Sequence, residues 1–231
     1  NPAMMLYTGL DCHENGNFGD AFTWFTKAAA LGQSESIAEL ADYYYHFYDA
    51  KELRSTIPYD PVKAIGLYRR AATKNFSDAG YTALQAAFGY IFHIGHLPLD
   101  WGLIADLTHM AATKERFMFA LPYIGYMRIH GLGVTKNIRF AVQSLLRVLD
   151  EEQRAFEEEN RVLFYDITRA LTRVALGYAY EKGYVTGKPD LDQAVSYYEQ
   201  SHQYILSHKA NLDEELKDIP IDDEAAERLE A

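Results

Sequence analysis

Ile124-Gly125-x-x-Arg128-x-x-Gly131-x-Gly133-Val134, followed by Asn137 and Ala141, is the stretch on which the fold turns. It returns as Leu176-Gly177-x-x-Tyr180-x-x-Gly183-x-Val185, followed by Asp190 and Ala194. In both copies the branched residue fills a core position and the adjacent glycine admits a close helix. The later glycine supplies a positive φ where a helix ends. Phe88-Gly89-x-x-Phe92-x-x-Gly95 and Leu40-Ala41-x-x-Tyr44 occupy the same frame.

Next to this pattern lies a second one. An Asp or Asn stands four residues before a small or aliphatic residue, and another such residue follows seven further on. Five segments share the frame: Asn17/Ala21/Ala28, Asp60/Ala64/Ala71, Asp100/Ile104/Ala111, Asn137/Ala141/Val148 and Asp190/Ala194/Ser201. The steps between them are 43, 40, 37 and 53 residues. The Asp or Asn sits where a helix wants an N-cap, because its side-chain oxygen accepts from the open N–H groups of the first turn. Pro61, directly after Asp60, suits the first helical position. The pair spaced by seven shares one helix face, and small side chains there let a neighbouring helix approach to roughly 8–10 Å. Each unit therefore reads as a helical hairpin.

The stretch from Ile124-Gly125 to Ala141 resembles the Sel1-like repeat, and so does Leu176-Gly177 through Gly183 to Ala194. The resemblance is eroded around Asp60 and Asp100, weak around Asn17, and covers most of residues 3–209. Arg128 stands where the pattern prefers Tyr, Ile104 where it prefers Ala, and Ser201 where an Ala pair is expected. The resemblance implies an all-α protein, a right-handed α-solenoid of about five helix-turn-helix Sel1-like or TPR-like repeats. Units are expected near 3–32, 34–75, 78–114, 117–161 and 163–209. A lone hairpin cannot bury its apolar face, so stacking makes a continuous core with a concave side. The 53-residue step contains 150–160, with no Gly or Pro, so the helix after Asn137 is expected to run on as a solvated ridge carrying Phe156.

The 231 residues are 48% hydrophobic, 24% charged and 14% aromatic, which excludes wholesale disorder. No run approaches the roughly 18 apolar residues of a membrane span; the closest, 117–127, contains Pro122. A net charge of −11 opposes nucleic acid and anionic lipid and favours basic or neutral partners. Nine acidic against three basic residues over 209–231 predict an acidic helix or tail at 210–231. A single cysteine, Cys12, excludes an intrachain disulfide and a cysteine-built zinc site. Residues 1–5 show no secretory pattern, so a cytoplasmic protein is expected.

Sel1-like proteins resemble one another in acting as adaptors and scaffolds for other proteins. In bacteria some are envelope or secretion-system partners, or immunity proteins. The resemblance thus implies a protein or peptide partner, possibly basic, on the concave face. The alternative is an inhibitor whose acidic surface neutralises a basic toxin. In this family the first helix of each pair commonly lines the concave face. Carried over, the positions one and five after the Gly frame make a column: Asp42/His46, Tyr90/Ile94, Tyr126/His130 and Tyr178/Lys182. Tyr126 and Tyr178 are the expected anchors, since tyrosine is enriched at interaction hot spots. The same tyrosines would equally complete the core with their hydroxyls at the rim.

Catalytic patterns are weak. His93 and His96 lack a third metal ligand at a useful spacing. In Asp11-Cys12-His13-Glu14 the thiol and imidazole are adjacent on a helix and point apart. Asp190 and Asp192 compete to cap one helix, and Gly131-Leu132-Gly133 lacks the strand and third glycine of a dinucleotide loop. Some Sel1-like proteins are described as weak β-lactam hydrolases, but Ser-x-x-Lys and the paired cysteines of those relatives are missing here. The expectation is a non-enzymatic protein with no metal and no cofactor.

Overall fold

A computed structural model describes residues 1–46, 51–91, 94–113, 117–155 and 163–216. Their regular structure is helical: α1 (Pro2–Glu14), α2 (Phe18–Ala30), α3 (Ser34–Tyr45), α4 (Lys51–Thr56), α5 (Pro61–Ala72), α6 (Ala79–Ile91), α7 (Trp101–Ala112), α8 (Phe117–His130), α9 (Ile138–Ala155), α10 (Leu163–Glu181) and α11 (Leu191–Leu216). A single 3-10 turn, Ile94–His96, follows α6. No strand occurs among the described residues. The chain divides into two compact units, Asn1–Asn137 and Ile138–Ala231.

The ten small or aliphatic positions of the repeated frame are all buried, none more than 4% exposed. In the first unit they belong to a packed succession in which α1 meets α2, α2 meets α3, α3 meets α5, α5 meets α6, α6 meets α7 and α7 meets α8. Phe25, Ile37, Tyr43 and Leu53 are fully enclosed in one apolar cluster. Burying each such side chain contributes about 1.5–3 kcal/mol. Ile104 fills its site completely. In the second unit Ser201 is buried, and its hydroxyl donates to the Ala170 carbonyl at 2.9 Å, so the departure from alanine adds a bond between α11 and α10.

Three of the five expected caps form as the frame requires, and one does not. Asp60, Asp100 and Asp190 each accept, through Oδ1, a backbone N–H three residues on, at 2.9–3.1 Å. Asp190 therefore takes the cap for which Asp192 was a rival. Asn17 stands at the N-cap of α2 but makes no side-chain cap bond. Its Nδ2 donates instead to Asp20 Oδ2 at 2.9 Å, a charge-assisted bond that holds the side chain by its nitrogen while its oxygen makes no cap bond.

Four of the interhelix turns share one backbone hydrogen bond. The backbone N–H of Asn17, Asp60, Asn137 and Asp190 donates to the carbonyl of Cys12, Tyr44, Arg128 and Tyr180, at 2.8–3.1 Å. Only the main chain of that frame residue is used, which is why arginine or cysteine replaces tyrosine without loss of the closure. Gly9 sits three residues before Cys12, and a Cβ there would lie 2.5 Å from Phe25 Cε1 of α2. It is the close-approach glycine of the first repeat, paralleled by Gly89 against Ile65 and Gly177 against Tyr198.

The short helix α4 has no counterpart in the hairpin pattern; it packs on α2 and buries Leu53, with Ile57 buried just beyond its end. In the second unit α9 runs past Asp150 to Ala155, while Phe156 and the rest of the expected ridge lie outside the described residues. Glu152 is buried there between Arg169 and Arg173, each 2.7 Å away. Only the Arg173 Nη1 contact is aligned as a hydrogen bond. α11 passes without a break through 209–210, and the acidic segment beyond Leu216 lies outside the described residues.

Candidate functional site

Asp42 begins the expected column, and α3 holds it inside the first unit. It is 8% exposed, and its Oδ1 accepts the hydroxyl proton of Tyr68 from α5. The Tyr81 ring of α6 stands edge-on to Tyr68, with ring centroids 6.3 Å apart. Burial pushes the Asp42 carboxyl up to about 7; the Tyr68 bond opposes this, and the charges of Glu39 and Asp78 add to it. Asp42 borders a cavity of about 280 Å³ that is also lined by Glu35, Ala38, Glu39, Phe76, Asp78 and Tyr81. Sequence reasoning singled out Asp42 and missed the other six. Part of the signal was present: Glu35, Ala38, Glu39 and Asp42 have the spacing of one helix face. Phe76 and Asp78 come from the α5–α6 loop, whose return to α3 no periodicity encodes.

The remaining positions of the first unit differ in kind. His46 is the left-handed C-cap of α3 (φ 53°); its Nε2 lies 2.8 Å from the Ile57 carbonyl and its ring 5.4 Å from Tyr59. Tyr90 is buried, and its hydroxyl accepts from Arg69 Nη1 at 3.1 Å. Ile94 is half-buried in the 3-10 turn. Tyr126 is half-buried and tilts against the exposed His130, with centroids 4.6 Å apart. Burial, then the charge of Lys136, lowers the His130 pKa.

In the second unit Tyr178 is half-buried with Lys182 Nζ 5.4 Å from its ring centre and Tyr184 edge-on at 6.3 Å. Lys182 is exposed and pairs with Glu181 at 2.6 Å, a bond that raises its own pKa and lowers that of Glu181. Glu181 also accepts from the Tyr198 hydroxyl at 3.0 Å. The structure thus unites Tyr with a polar residue one turn later at two of the expected positions, and turns Asp42 and Tyr90 inward.

The residues considered for chemistry have other engagements. His13 Nδ1 lies 2.8 Å from the Tyr43 hydroxyl, and burial lowers its pKa. His96 is exposed at the end of the 3-10 turn with φ 63°, and His93 lies outside the described residues. Among the described residues no three His, Cys, Asp or Glu side chains are grouped to hold a metal ion. No described helix is long and apolar enough to cross a membrane.

Successive helices packed through small residues, with the same backbone bond recurring at four of their turns, define an α-solenoid repeat protein. The Sel1 repeat model matches residues 3–33, 34–76, 123–143 and 168–201, more than half of the chain, and the chain belongs to the Sel1 repeat family. Two solved structures share the fold. A Sel1 repeat protein from Oxalobacter formigenes is 21% identical with a TM-score of 0.58, over 88% of this chain and 74% of that one. The protective antigen c5321 of uropathogenic Escherichia coli, described as displaying an SLR fold, is 18% identical with a TM-score of 0.53. That match covers 95% of this chain and half of the antigen's. No curated protein matches the chain significantly. Sel1 repeat proteins generally mediate protein–protein interactions.

Proposed function

We propose that the protein acts by binding, as a non-enzymatic scaffold or adaptor for a protein or peptide partner. The observation that carries this reading is the recurrence of one motif at the same repeat position in each compact unit. Tyr126 with His130 and Tyr178 with Lys182 each present a half-buried ring beside a polar group one turn on. Such rings offer rigid amphipathic contact area at small entropic cost. Tyr90, buried on Arg69, belongs to the core of the first unit, and Asp42 contributes through its pocket.

The test is affinity capture from the native cell with the full chain, compared with Tyr126→Ala and Tyr178→Ala variants checked for unchanged melting. A discrete partner whose recovery falls at least tenfold in the variants, about 1.4 kcal/mol or more, supports the reading. Equal recovery by folded variants refutes it. The net charge of −11 favours a second reading, an inhibitor of a basic toxin. That reading requires association to slow steeply with ionic strength, whereas a partner held through the tyrosines associates at nearly the same rate.

A further inference from the structure

We propose that the cavity between α3 and the start of α6 receives one arginine side chain of a basic partner, with the Asp42 carboxylate facing the guanidinium. The inference rests on the protein-binding reading above and names the chemistry that one part of the surface selects. The cavity, about 280 Å³, falls just below the roughly 300–1,000 Å³ of small-molecule sites, a fit for a single side chain. None of its lining residues is basic. Asp42 is its one buried acid; Glu35 and Glu39 are half-buried and Asp78 is exposed at the rim.

Among the described residues the Tyr68 hydroxyl is the one hydrogen-bond donor to the Asp42 carboxylate, and the second oxygen is not among the fully enclosed atoms that lack a partner, so it is open to a donor entering the cavity. A largely desolvated carboxylate is costly, and a cation that enters the cavity and donates to it lowers that cost. Phe76 and Tyr81 add aromatic surface to the same lining. A planar guanidinium both forks onto carboxylates and stacks on rings, which an ammonium does less well. A metal ion is disfavoured because these carboxylates are not grouped at ligating distance from one another.

Titration supplies an independent handle. The groups facing Asp42 are Glu35 and Glu39 on α3, Tyr68 on α5, Asp78 in the α5–α6 loop and Tyr81 on α6. With its pKa near 7, Asp42 is largely protonated at pH 6 and ionised at pH 8. Binding a guanidinium therefore expels close to one proton at pH 6 and almost none at pH 8, and apparent affinity rises about tenfold between them.

The experiment uses the full chain and a capped pentapeptide with one central arginine, followed by calorimetry in buffers of different ionisation enthalpy and by amide chemical shifts. A dissociation constant near ~1 mM is expected for one side chain. Saturable shifts should concentrate on α3 and residues 76–81, with the stated proton release. Asp42→Asn still accepts the Tyr68 proton and should fold, yet bind about tenfold more weakly; Asp78→Asn, at the rim, should weaken binding about twofold. The citrulline peptide, neutral and of equal shape, should not saturate. The inference is overturned if no saturation appears by about 20 mM, if citrulline binds alike, or if Asp42→Asn binds within twofold of the unaltered chain. That last result would reveal only the diffuse attraction of a chain with net charge −11. Peptide binding is scored apart from partner capture, so loss of one leaves the other interpretable.

Discussion

Gly131 and Gly133 stand two residues apart in the loop after α8, both at positive φ, 75° and 65°. A Cβ at Gly131 would meet only Lys136 Cβ, at an ordinary 3.7 Å. A Cβ at Gly133 would overlap the Trp101 carbonyl carbon and oxygen outright and lie 3.0 Å from Gly102 N. Gly131→Ala should therefore cost only the left-handed penalty, about 1–2 kcal/mol. Gly133→Ala carries the same penalty plus an overlap with backbone, which no rotamer change relieves. Overpacking of that kind adds about 1–3 kcal/mol, for a total of about 2–5 kcal/mol. The difference between the two variants isolates the seating of this loop on the first residues of α7. Urea unfolding followed by far-ultraviolet circular dichroism measures it, provided the slope of stability on urea is unchanged. Costs that agree within about 0.5 kcal/mol would refute the claim that a close backbone approach selects Gly133.

Asp42 should also shape stability against pH. Its folded pKa, about 7, lies above the ordinary 3.8, so between those values the folded chain holds a proton that the unfolded chain has lost. Stability is whole below pH 4, declines as pH rises to 7 and is level above. Asp42→Asn should flatten that decline and raise stability at pH 8 by about 2–4 kcal/mol, read by denaturant melts at several pH values. Glu152→Ala removes the carboxylate that pairs with Arg169 and the buried Arg173 and should cost about 3–5 kcal/mol; a loss below about 1 kcal/mol would mean the pair is solvated. Ser201→Ala removes the donor to the Ala170 carbonyl and should cost about 1 kcal/mol, with faster amide exchange in α11 as the check.

Much of the hairpin was legible because its determinants are local. An Asp three residues before an N–H, a small residue every seven and a glycine past a helix end each act within one or two turns. Asn17 shows the limit: its type and position fit a cap, yet Asp20, equally local, captured the amide. The helix α4 escaped notice because six residues carry too little periodicity, and Leu53 is apolar for the sake of α2 rather than its own helix. Of the expected column, the structure leaves Tyr126 and Tyr178 as half-buried rings, between the anchor and core readings the sequence left open. The inward turn of Tyr90 onto Arg69 depended on a helix 21 residues away.

The amino-acid order alone determined that the chain is a series of helical hairpins, where most helices begin and which faces are buried. Those features follow from backbone hydrogen bonding and side-chain volume between near neighbours. Tertiary structure alone decided that Tyr68 reaches Asp42, that Phe76, Asp78 and Tyr81 gather around it, and that its carboxyl titrates near neutrality. Desolvation is a property of everything within a few ångströms of a group, and most of what surrounds Asp42 comes from distant parts of the chain.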